Sequence, residues 1–249
     1  MDDPIIFSNV NKSYETPPVF VVHDFSVRIH EGEFFCLVGP SGCGKSTVLK
    51  LIADIVQPTS GVLVKPHHVG MVFQSYALLP WLTVQDNVAF VLRMRDMPAD
   101  EVERVTDKYL KMVHLEAFRK KFPRELSGGQ RQRVGLARAL AIEVDTLLMD
   151  EPFSALDPVI TDELLDDLLQ IWQGTRKTIV MVSHHFEEAV TLADRIGVMK
   201  DGMLDQIITV SLPRPRVKES PAFLATVKHV HESLTGAVND RDPDSSAGR

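Results

Sequence analysis

Gly39-Pro40-Ser41-Gly42-Cys43-Gly44-Lys45-Ser46-Thr47 follows the apolar run Phe34-Phe35-Cys36-Leu37-Val38 and precedes Val48-Leu49-Lys50-Leu51-Ile52, a helical pattern. Strand, glycine-rich loop and helix in that order form the setting in which G-x-x-x-x-G-K-[ST] cradles phosphate. The glycines let the backbone wrap closely around an anion, successive N–H groups point inward, and the helix adds the positive end of its dipole. A triphosphate is the natural guest. Lys45 is placed to reach its β- and γ-phosphates, and the Ser46 hydroxyl to ligate the Mg²⁺ that bridges them.

Working outward, Ile5 to Tyr14 reads as a strand, Glu15-Thr16-Pro17-Pro18 as a turn, and Phe25 to His30 as an alternating half-buried strand. These predict an antiparallel N-terminal sheet. Past the loop, the helix is expected to run to about Ile55. Short strands follow at Val62-Leu63-Val64 and from Val69 to Phe73, the second ending at Gln74. From Ser75 to about Phe122 the period becomes helical. One helix runs to Met94 with Thr83 as N-cap, and another follows Pro98 with Val102, Val105, Tyr109, Met112 and Val113 on one face. A third opens at Leu126-Ser127-Gly128-Gly129-Gln130 and continues through Leu140.

Beyond it, Thr146-Leu147-Leu148-Met149-Asp150-Glu151 is an apolar strand ending in two carboxylates, Pro158 starts a helix, and Lys177 to Ser183 is another buried strand. Alternating strands and helices predict a mainly parallel sheet covered on both faces. Asp201-Gly202 between two apolar runs signals a hairpin. A carboxylate at the end of a buried strand, beside a phosphate loop, belongs near the Mg²⁺, which suits Asp150; Glu151, one step on, suits orienting or deprotonating an attacking water. Remaining histidines, including His67, His68, His229 and His231, lack partners at metal-ligand spacing.

Composition bounds the partners. The 249 residues are 44% hydrophobic, enough for a sizeable core, and a formal charge of −7 argues against nucleic acid as the main partner. Met1-Asp2-Asp3-Pro4 has no secretory-leader pattern and no stretch approaches the roughly eighteen apolar residues of a membrane helix. Two cysteines, Cys36 and Cys43, do not make a disulfide framework.

Leu126-Ser127-Gly128-Gly129-Gln130, with Arg131 to Leu140 after it, resembles the signature of the ATP-binding cassette ATPases, and the resemblance spans about Ile5 to Val210. It implies an α/β fold: a P-loop NTPase with a RecA-like, mainly parallel sheet, an N-terminal antiparallel β subdomain and an inserted α-helical subdomain. The expected partition is one ATPase domain over 1–211, its core on 1–74 and 140–211 and its helical subdomain on 75–139. A short extension follows over 212–249 whose end, Asp240 to Ser246, reads as disordered.

The resemblance also assigns roles. Ser127, Gly128, Gly129 and Gln130 are implied to meet the γ-phosphate of ATP held by a second copy, so that two ATP molecules are sandwiched in a head-to-tail dimer. Tyr14 matches the aromatic that stacks on adenine, and Gln74 the glutamine that touches Mg²⁺ and water. Asp157, in Ser154-Ala155-Leu156-Asp157, matches the aspartate that crosses the dimer interface, and His184 the histidine that contacts the γ-phosphate and steadies Glu151. Two positions depart from the family pattern: His185 stands where aspartate is common, and Asp54 where the helix commonly ends with glycine. A left-handed C-cap at Asp54 carries strain that glycine avoids.

One cassette with no membrane span implies separate permease subunits, docking near residues 75–91, at the cytoplasmic face of the cell membrane. The stretch Gln74 to Val88, with Pro80-Trp81, and the run Leu212-Pro213-Arg214-Pro215-Arg216 resemble the nitrate, sulfonate and taurine importer ATPases, although Gln130 stands where that subfamily often has methionine. Uptake of a small anion, delivered by a solute-binding protein, is therefore expected. A cassette for lipid or efflux transport fits the same catalytic residues. Cassettes for nucleic-acid work usually carry a long coiled-coil insertion or a second cassette, and 249 residues hold neither.

Overall fold

A computed structural model describes residues 5–73, 77–154 and 156–235. Gln74, the start of the expected permease-docking stretch at Ser75 and Tyr76, and the tail expected to be disordered lie outside these residues.

The described residues open with two antiparallel strands, β1 (Ile5–Ser13) and β2 (Phe20–Ile29). β2 starts five residues before the alternation that announced it, because Phe20 to Val22 pair with β1 through bulges at which Asn9 and Asp24 take positive φ. Next come β3 (Phe34–Val38), the phosphate loop and α1 (Lys45–Ile52). The helix stops at Ile52 rather than near Ile55. Asp54 sits at φ 62°, its N–H donates to the Leu51 carbonyl, and the Ile55 N–H donates to that of Lys50, the paired bonds of a Schellman stop. The left-handed residue is Asp54, one past the right-handed C-cap Ala53, and its carboxylate is held by Lys65 and Gln57.

β4 (Ser60–Val64) pairs with β1 and completes a three-stranded antiparallel sheet in the order β2-β1-β4. The chain then enters β5 (Val69–Val72), α2 (Val84–Met94), α3 (Ala99–Met112) and α4 (Gly128–Ala141). Thr83 caps α2 by accepting the Asp86 N–H. β6 (Thr146–Asp150), α5 (Pro158–Thr175), β7 (Thr178–Val182), α6 (Phe186–Leu192), β8 (Arg195–Lys200), β9 (Met203–Thr209) and α7 (Pro221–Thr235) complete it. α6 is seven residues long, too short to show a period, and was not legible in the sequence.

The main sheet runs β5-β6-β7-β3-β8-β9. All pairs are parallel except β8 with β9, joined by the Asp201-Gly202 turn, where both residues have positive φ. β3, β6 and β7 are buried throughout, as central strands covered on both faces must be. Their alternation divides two cores. Phe34, Cys36, Val38, Leu147, Met149, Ile179 and Met181 face the helices α2 to α5. Phe35, Leu37, Leu148, Val180 and Val182 face α1 and the antiparallel sheet, with Phe7 and Phe25 packed edge to face. Both cysteines are free and buried. Among the described residues no helix is long and apolar enough to cross a membrane.

Parallel strands running in one direction place their C-terminal ends along one edge, where ligands of such sheets bind. Val38, Asp150 and Val182 end three adjacent strands there.

Candidate nucleotide site

The phosphate loop leaves β3 under tight backbone constraint. A Cβ on Gly39 would lie 2.4 Å from the Met199 carbonyl oxygen, and one on Gly44 would lie 2.5 Å from that of Val21 at a φ of 100°. Neither position accepts a side chain. Lys45 is 6% exposed; its Nζ donates to the carbonyls of Gly39 and Pro40, both at 2.8 Å, and lies 3.9 Å from Cys43 Sγ. The ammonium therefore holds the loop closed around itself. Burial pushes the Cys43 thiol up, with Lys45 opposing.

The next residue faces the neighbouring strand end. Ser46 Oγ donates to Asp150 Oδ1 at 3.0 Å. Burial raises the Asp150 carboxyl above its usual range; the Ser46 hydrogen bond opposes this and the Glu151 charge adds to it. A hydroxyl and a carboxylate converging beside a phosphate cradle are hard oxygen donors that fit Mg²⁺ completing its shell with phosphate and water. Among the described residues no group of three or more His, Cys, Asp or Glu side chains is placed to hold a metal ion.

β6 ends at Asp150, so Glu151 is off the strand. It has φ 50°, and its N–H donates to the Val182 carbonyl at 3.0 Å. Its carbonyl accepts from Gln132 Nε2 at 3.1 Å and from Ser154 Oγ at 3.1 Å. Its Oε2 lies 3.4 Å from His184 Nδ1. The carboxylate side chain is 18% exposed and the imidazole 45%, so the pair opens to solvent at the sheet edge. The His184 and His185 rings lie 4.0 Å apart. Tyr14, 54% exposed, points its hydroxyl at Thr47 Oγ1, 3.5 Å away, and stands over the same loop.

The fold thus brings Tyr14, residues 39–47, Asp150, Glu151 and His184 together. Among the described residues, the other sequence-marked positions, Ser127 to Gln130 and Asp157, stand apart. Ser127 caps α4, accepting from the Gln130 N–H at 3.2 Å while Gln130 Oε1 accepts from the Ser127 N–H at 2.9 Å, a capping box. No hydrogen bond joins residues 127–130 to 39–47 among the described residues. Asp157 is the N-cap of α5, with Oδ1 accepting from the Ile160 N–H at 3.1 Å. Asp-Pro at 157–158 signals such a cap. Gln132, which anchors the Glu151 carbonyl, is a residue sequence reasoning missed. Its signal is a polar side chain in line with Leu136 and Ala139 on the buried face of α4.

Away from this site, α2 and α3 enclose a cavity of about 630 Å³ lined by Gln85, Ala89, Arg93, Met97, Val102 and Thr106 among others. Trp81, in the turn before α2, is 69% exposed and Met94 is 70% exposed; the indole is not packed into the fold.

Comparison with known proteins agrees with this geometry. The ABC transporter family profile matches residues 22–154. The chain is 41% identical over 230 residues to an uncharacterised ABC transporter ATP-binding protein of Methanocaldococcus jannaschii, covering 88% of this chain and 86% of that one. It is 39% identical over 229 residues to the nitrate import ATP-binding protein of Synechococcus elongatus, covering 86% and 84%. It is 41% identical over 236 residues to the bicarbonate transport ATP-binding protein of the same organism, covering 87% and 84%. A dimeric ATP-binding cassette solved in a post-hydrolysis state with ADP and Pi superposes with a TM-score of 0.79 at 32% identity, covering 84% of this chain and all of that one.

Proposed function

Since the chain belongs to the ABC transporter family, as an ATP-binding subunit with ATPase activity, we propose that it powers uptake of a small anion through separate permease subunits. The observation that carries the catalytic part is the convergence of Lys45, Ser46, Asp150, Glu151 and His184 on one sheet edge.

In this reading the triphosphate displaces Lys45 from the Gly39 and Pro40 carbonyls, and the loop N–H groups of residues 41–47 take the phosphate oxygens. Tyr14 stacks on the base. Ser46, Asp150 and Gln74 hold Mg²⁺, which when bound neutralises the phosphate charge. Glu151 orients and accepts a proton from the attacking water, and His184 keeps that carboxylate in line and contacts the γ-phosphate. Ser127 to Gln130 and Asp157 serve a partner copy. That their hydrogen bonds stay within their own helices, with Ser127 exposed, supports a site completed only in a head-to-tail dimer with two ATP molecules between the subunits.

Closing the dimer around MgATP does work on the permease, and hydrolysis resets it. The helical arm, residues 75–139 in this partition, presents Trp81, Met94 and the α2–α3 cavity to that partner at the cytoplasmic membrane face. The resemblance to nitrate and bicarbonate relatives supports an inorganic or sulfonate-type anion delivered by a solute-binding protein.

Glu151→Gln tests the chemistry: phosphate release should fall by roughly 10²- to 10⁴-fold while an ATP-stabilised dimer persists on size exclusion. Hydrolysis at the normal rate would overturn the assignment. Purification from native membranes, with assay of which anions raise ATPase activity, tests the importer reading. Recovery of no permease would remove it and leave the chemistry standing.

A further inference from the structure

The turn that presents His184 is built in an unusual way. A helix N-terminus is ordinarily closed by a capping box, in which the third helical residue reaches back to the N-cap N–H. In α6 the N-cap is His185, which makes no side-chain cap, and the third residue is Glu188. Glu188 does not bond the His185 N–H. Its Oε2 accepts from Ser183 Oγ at 2.6 Å, and Ser183 Oγ in turn accepts from the His185 N–H at 3.0 Å. The hydroxyl has one proton, and the short carboxylate contact takes it. The 3.3 Å contact to the His185 carbonyl is secondary.

Ser183 is therefore inserted between carboxylate and N-cap, and His184 is the residue the insertion encloses. The Ser183 N–H donates to the Leu37 carbonyl at 3.1 Å, next to the strand end that enters the phosphate loop. Ser183 is 1% exposed and Glu188 7%. Burial raises the Glu188 carboxyl, while the Ser183 hydroxyl and the two histidines oppose that. Helix stability alone does not call for such a buried carboxyl, since Glu187, exposed in the same first turn, already meets the helix dipole.

We infer that Glu188 is a positioning residue for His184, acting through the Ser183 hydroxyl to fix the backbone turn that aims the imidazole at Glu151. The inference rests on the site reading above, in which His184 steadies Glu151. Removing Glu188 frees the Ser183 hydroxyl to turn to the His185 carbonyl, and the turn carrying His184 loses one of its two restraints. Nothing in this role touches nucleotide.

The test is steady-state ATPase kinetics of the full chain with Ser183→Ala, Glu188→Ala and the conservative Ser183→Thr and Glu188→Gln, each alone and with His184→Ala. Ser183→Ala and Glu188→Ala should each lower kcat roughly tenfold, with KM for ATP changed by less than about twofold. Ser183→Thr keeps the hydroxyl and Glu188→Gln an acceptor oxygen, and both should recover most of the rate. In the His184→Ala background neither alanine should lower kcat further. The same fold-loss in both backgrounds, or kcat and KM worsening together without rescue, would overturn the inference. If Glu188→Ala does not fold, Ser183→Ala, which removes a single oxygen, decides the matter. Normal kcat for His184→Ala alone would instead sink the site reading, and this inference with it.

Discussion

Two glycine-bearing turns open two helices in this chain, and they are built to opposite specifications. The turn at residues 39–47 is buried at both ends, at Gly39 and from Cys43 to Lys45, exposed at its tip from Pro40 to Gly42, and bonded within the fold: Lys45 bonds the loop's own carbonyls, Ser46 bonds Asp150, and two of its glycines have no space for a methyl group. The turn at 126–130 is partly exposed, its Leu126 N–H donates to the Pro123 carbonyl, its Ser127 and Gln130 bond each other, and it has room at Gly128, where an added Cβ would meet only Arg131 Nη2 at 4.0 Å. Glycine in the first turn is demanded by the fold. At Gly128 the fold makes no such demand; in the function proposed above, the residue would answer to the γ-phosphate of a partner copy's ATP.

Glycine substitutions put the largest effect on this contrast. Gly44→Ala meets the Val21 carbonyl at 2.5 Å from a left-handed φ, and should cost about 4 kcal/mol or prevent folding, read by thermal melting. Gly128→Ala should leave stability unchanged or raise it by up to about 1 kcal/mol, since alanine favours the helix, yet lower ATPase activity and ATP-dependent dimerisation. If the two variants destabilise alike, the contrast is broken.

Ser127 sharpens it further. Ser127→Ala removes the cap that accepts the Gln130 N–H and should cost roughly 1 kcal/mol. Ser127→Asp preserves a cap, so the melting temperature should hold, but it puts a negative charge where a phosphate of the partner's ATP is expected. Its ATPase rate should then fall at least as far as that of Ser127→Ala. Full activity for Ser127→Asp would show that no anion approaches this turn.

The smallest effect lies at the exit of the phosphate-loop helix. Asp54→Gly relieves a left-handed φ of 62° but loses the Lys65 and Gln57 contacts. Relief of strain and loss of an exposed ion pair are each below about 1 kcal/mol, so chemical denaturation should show a net change under about 1 kcal/mol. A loss of several kcal/mol would mean that the strained stop supports the loop.

The sequence carried much of this architecture because its signals are local. Thr83 before an apolar helical period, Asp-Gly between two apolar runs, and Ser127 with Gln130 three residues on each specify their own few residues of backbone. What was not legible depends on distant partners. The first residues of β2 become strand only because both strands bulge to keep them paired, β1 at Asn9 and β2 at Asp24. α6 is too short to announce itself and is held instead by the C-terminal extension. The buried Arg216 guanidinium, pushed by burial down to about 10, donates to the carbonyls of Val190, Thr191 and Ala193, and Arg214 bonds Asp194 and stacks on Trp172. The Leu212 to Arg216 run, noticed only as a subfamily likeness, is thus a clamp on the element that follows His184.

The residue types of the site were readable in order along the chain: phosphate loop, signature turn, paired carboxylates and histidine. Their meeting was not, because a motif states what a group can bind and says nothing of what stands opposite it. Tertiary structure turned Glu151 off its strand toward His184, set Asp150 against Ser46, kept the signature turn at the surface, and inserted Ser183 between Glu188 and the helix it caps. Local periodicity and capping chemistry act over a few residues, while these juxtapositions join groups up to 104 positions apart and exist only once parallel strands bring their C-terminal ends to one edge.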